Sequence, residues 1–94
     1  MEIQWRLSAR DDLQDARRYL AERNPQAAGR IFEAIRASVK RLADAPELGR
    51  PGRVDGTREL VVPGTQYLVA YAVLGNTLTI LSVLHGAREW PGAF

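Results

Sequence analysis

The chain has 94 residues, with 13 Lys and Arg against 11 Asp and Glu, a formal net charge of +2, one histidine and no cysteine. That length supports one modest core, so residues 1–94 read as a single domain. The missing cysteines exclude disulfides and thiolate zinc sites, and a lone histidine argues against a structural or catalytic zinc site, so no metal is expected.

The positive surplus is too small to make a nucleic-acid binder by itself. Lys40 is the only lysine, so nearly all positive charge is arginine, whose fork suits phosphate and carboxylate. Most of these arginines fall among Asp and Glu on predicted helices, where an ion-paired solvated face is the plain reading. The first residues, MEIQWRLSARDD, lack an apolar leader, and no run approaches the ~20 apolar residues of a membrane span. A cytoplasmic protein with no membrane partner is expected.

Residues 2–6 (EIQWR) alternate apolar and polar, as a short strand does. Ser8 with Asp11 three residues on resembles a capping box, and Asp11-Asp12 suits the positive end of a helix dipole. Leu13, Ala16 and Leu20 then recur at helical spacing, which predicts a helix over residues 9–23. Asn24-Pro25 breaks it and opens a second helix, with Asn24 as cap and Pro25 as its first residue. Ala28, Ile31, Phe32, Ile35, Val39 and Leu42 form one apolar stripe that ends near Asp44, before Pro46. Two helices so closely joined form a hairpin, and each needs a surface to cover its stripe.

Residues 46–56 (PELGRPGRVDG) read as a loop, 58–62 as a strand, and Pro63-Gly64 as a turn. Residues 67–74 (YLVAYAVL) and 77–84 (TLTILSVL) read as two strands around the hairpin signal Gly75-Asn76. The order βααβββ predicts an α+β fold, a helical hairpin packed on a mainly antiparallel sheet. Ala93-Phe94 should fray unless a partner orders them.

No Gly-rich phosphate loop of Walker or Rossmann spacing is present, and Ser82 lacks a GxSxG elbow. What remains is a sheet with Arg58, Tyr67 or Tyr71, His85 and Arg88, and with Arg50 and Arg53 from the preceding loop. His85 lies where the last strand exits, a rigid but open position for a titratable group. Two uses fit. The arginines Arg58 and Arg88 balance charge on a phosphodiester while His85 moves a proton, or Arg50, Arg53, Tyr71 and Trp90 anchor a protein partner. Each has a plain counterpart: Arg58 pairs with Glu59 or Asp55, Tyr71 is core, Trp90 plugs the sheet's end, and His85 is a cap.

The stretches ARDDLQDARRYLAERNPQAA, LADAPELGRPGR and TRELVVPGTQYLVAYAVLGNTLTILSVLHGAREWP, in that order, resemble the RelE/ParE superfamily of bacterial type II toxin–antitoxin toxins. The resemblance spans nearly the whole chain. It implies a small toxin silenced by a cognate antitoxin, with operator DNA reached only through that antitoxin, and no cofactor. It also implies one of two targets. RelE-like members cut messenger RNA on the ribosome, with Arg58, His85 and Arg88 at matching positions. ParE-like members poison DNA gyrase and are not nucleases. The chain has no lysine after Lys40 and no tyrosine after Tyr71, so the lysine-rich face and late tyrosine of RelE are missing. The long hairpin around Asn24-Pro25 resembles ParE, and gyrase is the expected target, with the ribosome and mRNA as the alternative.

Overall fold

A computed structural model of the chain describes residues 1–86. The elements are β1 (Glu2–Trp5), α1 (Leu7–Arg23), α2 (Pro25–Asp44), β2 (Arg50–Pro51), β3 (Arg58–Val61), β4 (Tyr67–Leu74) and β5 (Thr77–His85). One five-stranded sheet runs in the order β1-β5-β4-β3-β2. The β1·β5 pairing is parallel and the other three are antiparallel. This is the α+β architecture expected from the sequence, with one addition. The predicted loop over residues 46–56 contains the two-residue strand β2, which extends the sheet beyond β3.

The helices form because each carries an apolar stripe that only the sheet can cover. Ile35, Val39 and Leu42 of α2 join Ala9 and Ala16 of α1 over Val62, Tyr67, Val69, Tyr71, Leu78, Ile80 and Val83. Ile35 and Leu42 are 1% and 0% exposed, and burying each such side chain stabilises the fold by about 1.5–3 kcal/mol. Asn24 serves both helices. Its N–H donates to the Leu20 carbonyl at 2.7 Å, closing α1, and its side chain accepts from the Ala27 amide at 3.3 Å, opening α2. Gly75 takes φ 60° at the first position of the two-residue β4–β5 turn, where glycine carries no steric cost.

The start of α1 departs from the expected capping box. The helix begins at Leu7 behind Arg6, and no side chain caps it. Ser8 lies inside the first turn and donates to the Leu81 carbonyl at 3.1 Å. Asp12 accepts from the Val83 amide at 3.0 Å and from the Ser82 hydroxyl at 2.5 Å. The physical reason is the open edge of β5. Strand β1 stops at Trp5, opposite Ile80, and the Arg6 amide makes one further bond to the Ile80 carbonyl. Beyond that point α1 continues the pairing of β5 with side chains. Ser8 and Asp12 are therefore sheet partners, and a buried edge is kept satisfied.

Candidate functional site

The loop after α2 is held to the middle of the sheet by Tyr71. This side chain is 0% exposed. Its hydroxyl donates to the Pro46 carbonyl at 2.6 Å and accepts from the Gly49 amide at 2.8 Å. A β-carbon at position 49 would lie 2.6 Å from the Tyr71 hydroxyl oxygen and 2.9 Å from the Glu59 carbonyl oxygen, so only glycine fits. Burial pushes the Tyr71 phenol above its ordinary range, and the Gly49 amide and the Arg58 charge oppose that shift in part. Tyr71, expected among the binding residues, thus presents no surface to a partner. It positions the loop instead.

Arg58 lies opposite Tyr71 in the β3·β4 register. Its Nη1 donates to the Gly49 carbonyl at 2.7 Å and to the Glu47 carbonyl at 3.4 Å. It does not pair with Glu59, because neighbours along a strand point to opposite faces. Glu59 lies opposite Ala70, on the face away from the helices, and is only 3% exposed. There Glu59 Oε1 meets Arg50 Nη2 at 3.3 Å, and Oε2 accepts from the Arg53 amide at 2.8 Å with Arg53 Nε at 3.9 Å. One buried carboxylate therefore fixes two guanidinium groups that are each more than half exposed. The loop is also braced internally, by Gly52 N–H to Thr57 O at 2.8 Å and Thr57 Oγ1 to Val54 O at 2.6 Å. Arg50, Arg53 and Arg58 are gathered on one braced segment, residues 46–59, in which Glu47, Asp55 and Glu59 balance their charge.

His85 lies elsewhere. It is the last residue of β5, opposite Tyr67, and the two rings meet edge to face at 5.4 Å. It borders a cavity of about 20 Å³ with Asp12, Ala16, Tyr19, Tyr67 and Val83, against α1. Arg58 and His85 are two strands apart and four residues apart along β4. Strand geometry makes that about 16 Å between their Cα atoms. Arg88 and Trp90 lie outside the described residues. Among the described residues, no group of three or more His, Asp or Glu side chains is placed to hold a metal ion. None of their helices is long and apolar enough to cross a membrane.

Two residues of this site were not singled out by sequence reasoning. Glu59 was legible only as a surface partner of its neighbour, although strand alternation already separates it from Arg58. Asp12 suits the helix dipole by local pattern, and nothing local signals its bonds to Ser82 and Val83, some seventy residues away.

The family model described as the ParE toxin of type II toxin–antitoxin system, parDE, matches residues 3–90. The chain belongs to this toxin family. Y4kP of Sinorhizobium fredii is 37% identical over 89 residues, spanning 95% of this chain and 92% of that protein. Toxin RelE1 of Caulobacter vibrioides is 33% identical over 73 residues, 76% of this chain and 77% of that toxin. Among solved structures, a chain of the chromosomal ParDE toxin–antitoxin system from P. aeruginosa superposes with a TM-score of 0.79 at 26% identity. The match covers 88% of this chain and 92% of that one. The toxin fold expected from the ordered stretches is the fold observed, and a cognate antitoxin partner follows from the toxin–antitoxin family.

Proposed function

We propose that this toxin acts in the cytoplasm by inhibiting DNA gyrase, and that it binds its target through the arginine-bearing loop rather than by cutting RNA. The observation that carries this reading is the separation of His85 from Arg58. A nuclease needs a proton carrier within hydrogen-bond reach of the group it serves, while charge-stabilising arginines flank the same phosphate. His85 faces Tyr67 and α1, whereas Arg50, Arg53 and Arg58 are organised around Glu59 and Gly49. An arginine cluster on a braced loop suits recognition by a protein surface, where exposed guanidinium groups act as anchors. The family match to ParE supports the same branch.

The antitoxin silences the toxin in this reading, and operator DNA is reached only through the antitoxin. The test is expression of the His85→Ala variant without antitoxin. Growth arrest equal to that of the parent chain is expected; loss of arrest with the protein still folded would return His85 to a catalytic role.

A further inference from the structure

Among the described residues, Glu59 is the only charged side chain that is buried. It lies directly opposite Arg50 in the β2·β3 register and opposite Ala70 in the β3·β4 register. The ion pairs on the helices are of another kind. Asp15 with Arg18, Glu22 with Arg23 and Glu33 with Arg36 join side chains that are each more than half exposed, at 3.8, 4.0 and 3.9 Å. Such pairs contribute little and fix little.

Burying a carboxylate costs stability unless its oxygens are served, and an apolar residue would fill a buried strand position without that cost. Glu59 is served from both sides. Its Oε1 meets Arg50 Nη2, and its Oε2 accepts from the Arg53 amide. Arg53 lies in a turn closed by Gly52 N–H to Thr57 O and by Thr57 N–H to Val54 O. Both guanidinium groups stay open, at 57% exposure for Arg50 and 54% for Arg53. The buried charge thus holds two arginine heads that still face solvent.

Attraction by charge does not explain this arrangement. Over residues 46–59, Arg50, Arg53 and Arg58 stand against Glu47, Asp55 and Glu59, so the segment is neutral. A neutral segment gains little from long-range attraction to a polyanion. What it offers is direction. Two forks set in advance lose less side-chain freedom on meeting a carboxylate than unrestrained arginines do.

We infer that Glu59 is a positioning residue for target recognition: it presents Arg50 and Arg53 as a preset pair to carboxylates on the target's protein surface, and not to phosphates of DNA. The inference rests on the gyrase reading. It adds the residue that sets the site and the groups the site takes. Glu59 acts only through the two arginines.

The test titrates the full toxin onto gyrase free of DNA. Glu59→Gln keeps the shape of the side chain and makes the segment more positive. It should raise the dissociation constant by roughly tenfold or more, as should Arg50→Ala/Arg53→Ala. The triple variant should bind within about twofold of that double variant, because Glu59 has nothing to position once both forks are gone. Ile35→Val, which weakens only the core beneath the helices, should bind like the parent. Glu59→Gln binding as tightly as the parent, or more tightly, would make charge the determinant and overturn the inference. A loss that persists in full on the double background, or an equal loss in Ile35→Val, would reduce Glu59 to a folding residue and overturn it. If Glu59→Gln does not fold, the double variant still decides, since its two positions are exposed and parental affinity there would overturn the inference. Binding seen only with DNA present would make phosphate the recognised group and overturn it while leaving the gyrase reading intact. A parent chain that neither binds gyrase nor blocks supercoiling would overturn both.

Discussion

The Tyr71 hydroxyl accepts the Gly49 amide at 2.8 Å, and through this bond a core residue sets the height of the arginine-bearing loop. The same hydroxyl donates to Pro46 O, so the start and the middle of the loop are fixed by one atom. The Tyr71→Phe substitution leaves the ring in place but strips the Gly49 N–H and the Pro46 carbonyl of a buried partner. A loss of about 1–3 kcal/mol in unfolding free energy is expected, read from urea denaturation. Gly49→Ala should cost about as much, because its β-carbon would meet the Tyr71 hydroxyl and the Glu59 carbonyl together. Stability within about 0.5 kcal/mol of the parent for both variants would show that the loop is not held this way.

Alkaline pH should expose the same contact. Burial raises the Tyr71 phenol above its ordinary value of 10.0, so the folded chain holds this proton more tightly than the unfolded chain does. Below about pH 10 both states are protonated and this group adds no pH dependence. As pH rises further, the unfolded chain ionises first and stability falls until the folded phenol also ionises. Unfolding free energies of the parent and Tyr71→Phe chains, compared across that range, should converge as pH rises. A constant difference would mean that Tyr71 titrates alike in both states.

At the other edge of the core, Asp12 stands in for a missing strand. Asp12→Ala removes the acceptor for Val83 N–H and Ser82 Oγ together. A loss of about 1–3 kcal/mol is expected. Amide exchange should quicken at Val83 while β4 stays protected. Asp12→Asn, which keeps one acceptor oxygen, should lose less. Equal exchange at Val83 in parent and Asp12→Ala chains would separate Asp12 from the edge of β5.

These contacts mark what the sequence made legible. The helical hairpin and the strands β3, β4 and β5 follow from local pattern, because Ile35, Val39 and Leu42 recur at helical spacing and the strands are short runs containing Val, Leu, Ile, Thr or Tyr bounded by Gly and Pro. Strand β2 is two residues long and includes Pro51, so it carries no periodicity to detect. The start of α1 does not follow from local pattern, because Ser8 and Asp12 are capping types whose partners here are tertiary, on β5. In the candidate site, the shared neighbourhood of Arg50, Arg53 and Arg58 follows from their closeness in sequence. The buried Glu59 that organises two of them, and the distance of His85 from all three, depend on strand register, which composition does not encode.

The gyrase reading proposed for this toxin requires that it stop gyrase and leave messages whole. The most direct measurement adds the purified toxin to two reconstituted systems, gyrase supercoiling relaxed plasmid and ribosomes translating a defined message. Blocked supercoiling with accumulation of gyrase-dependent DNA breaks is expected in the first system, and full-length message in the second. Intact supercoiling together with ribosome-dependent cleavage of the message would contradict the gyrase reading.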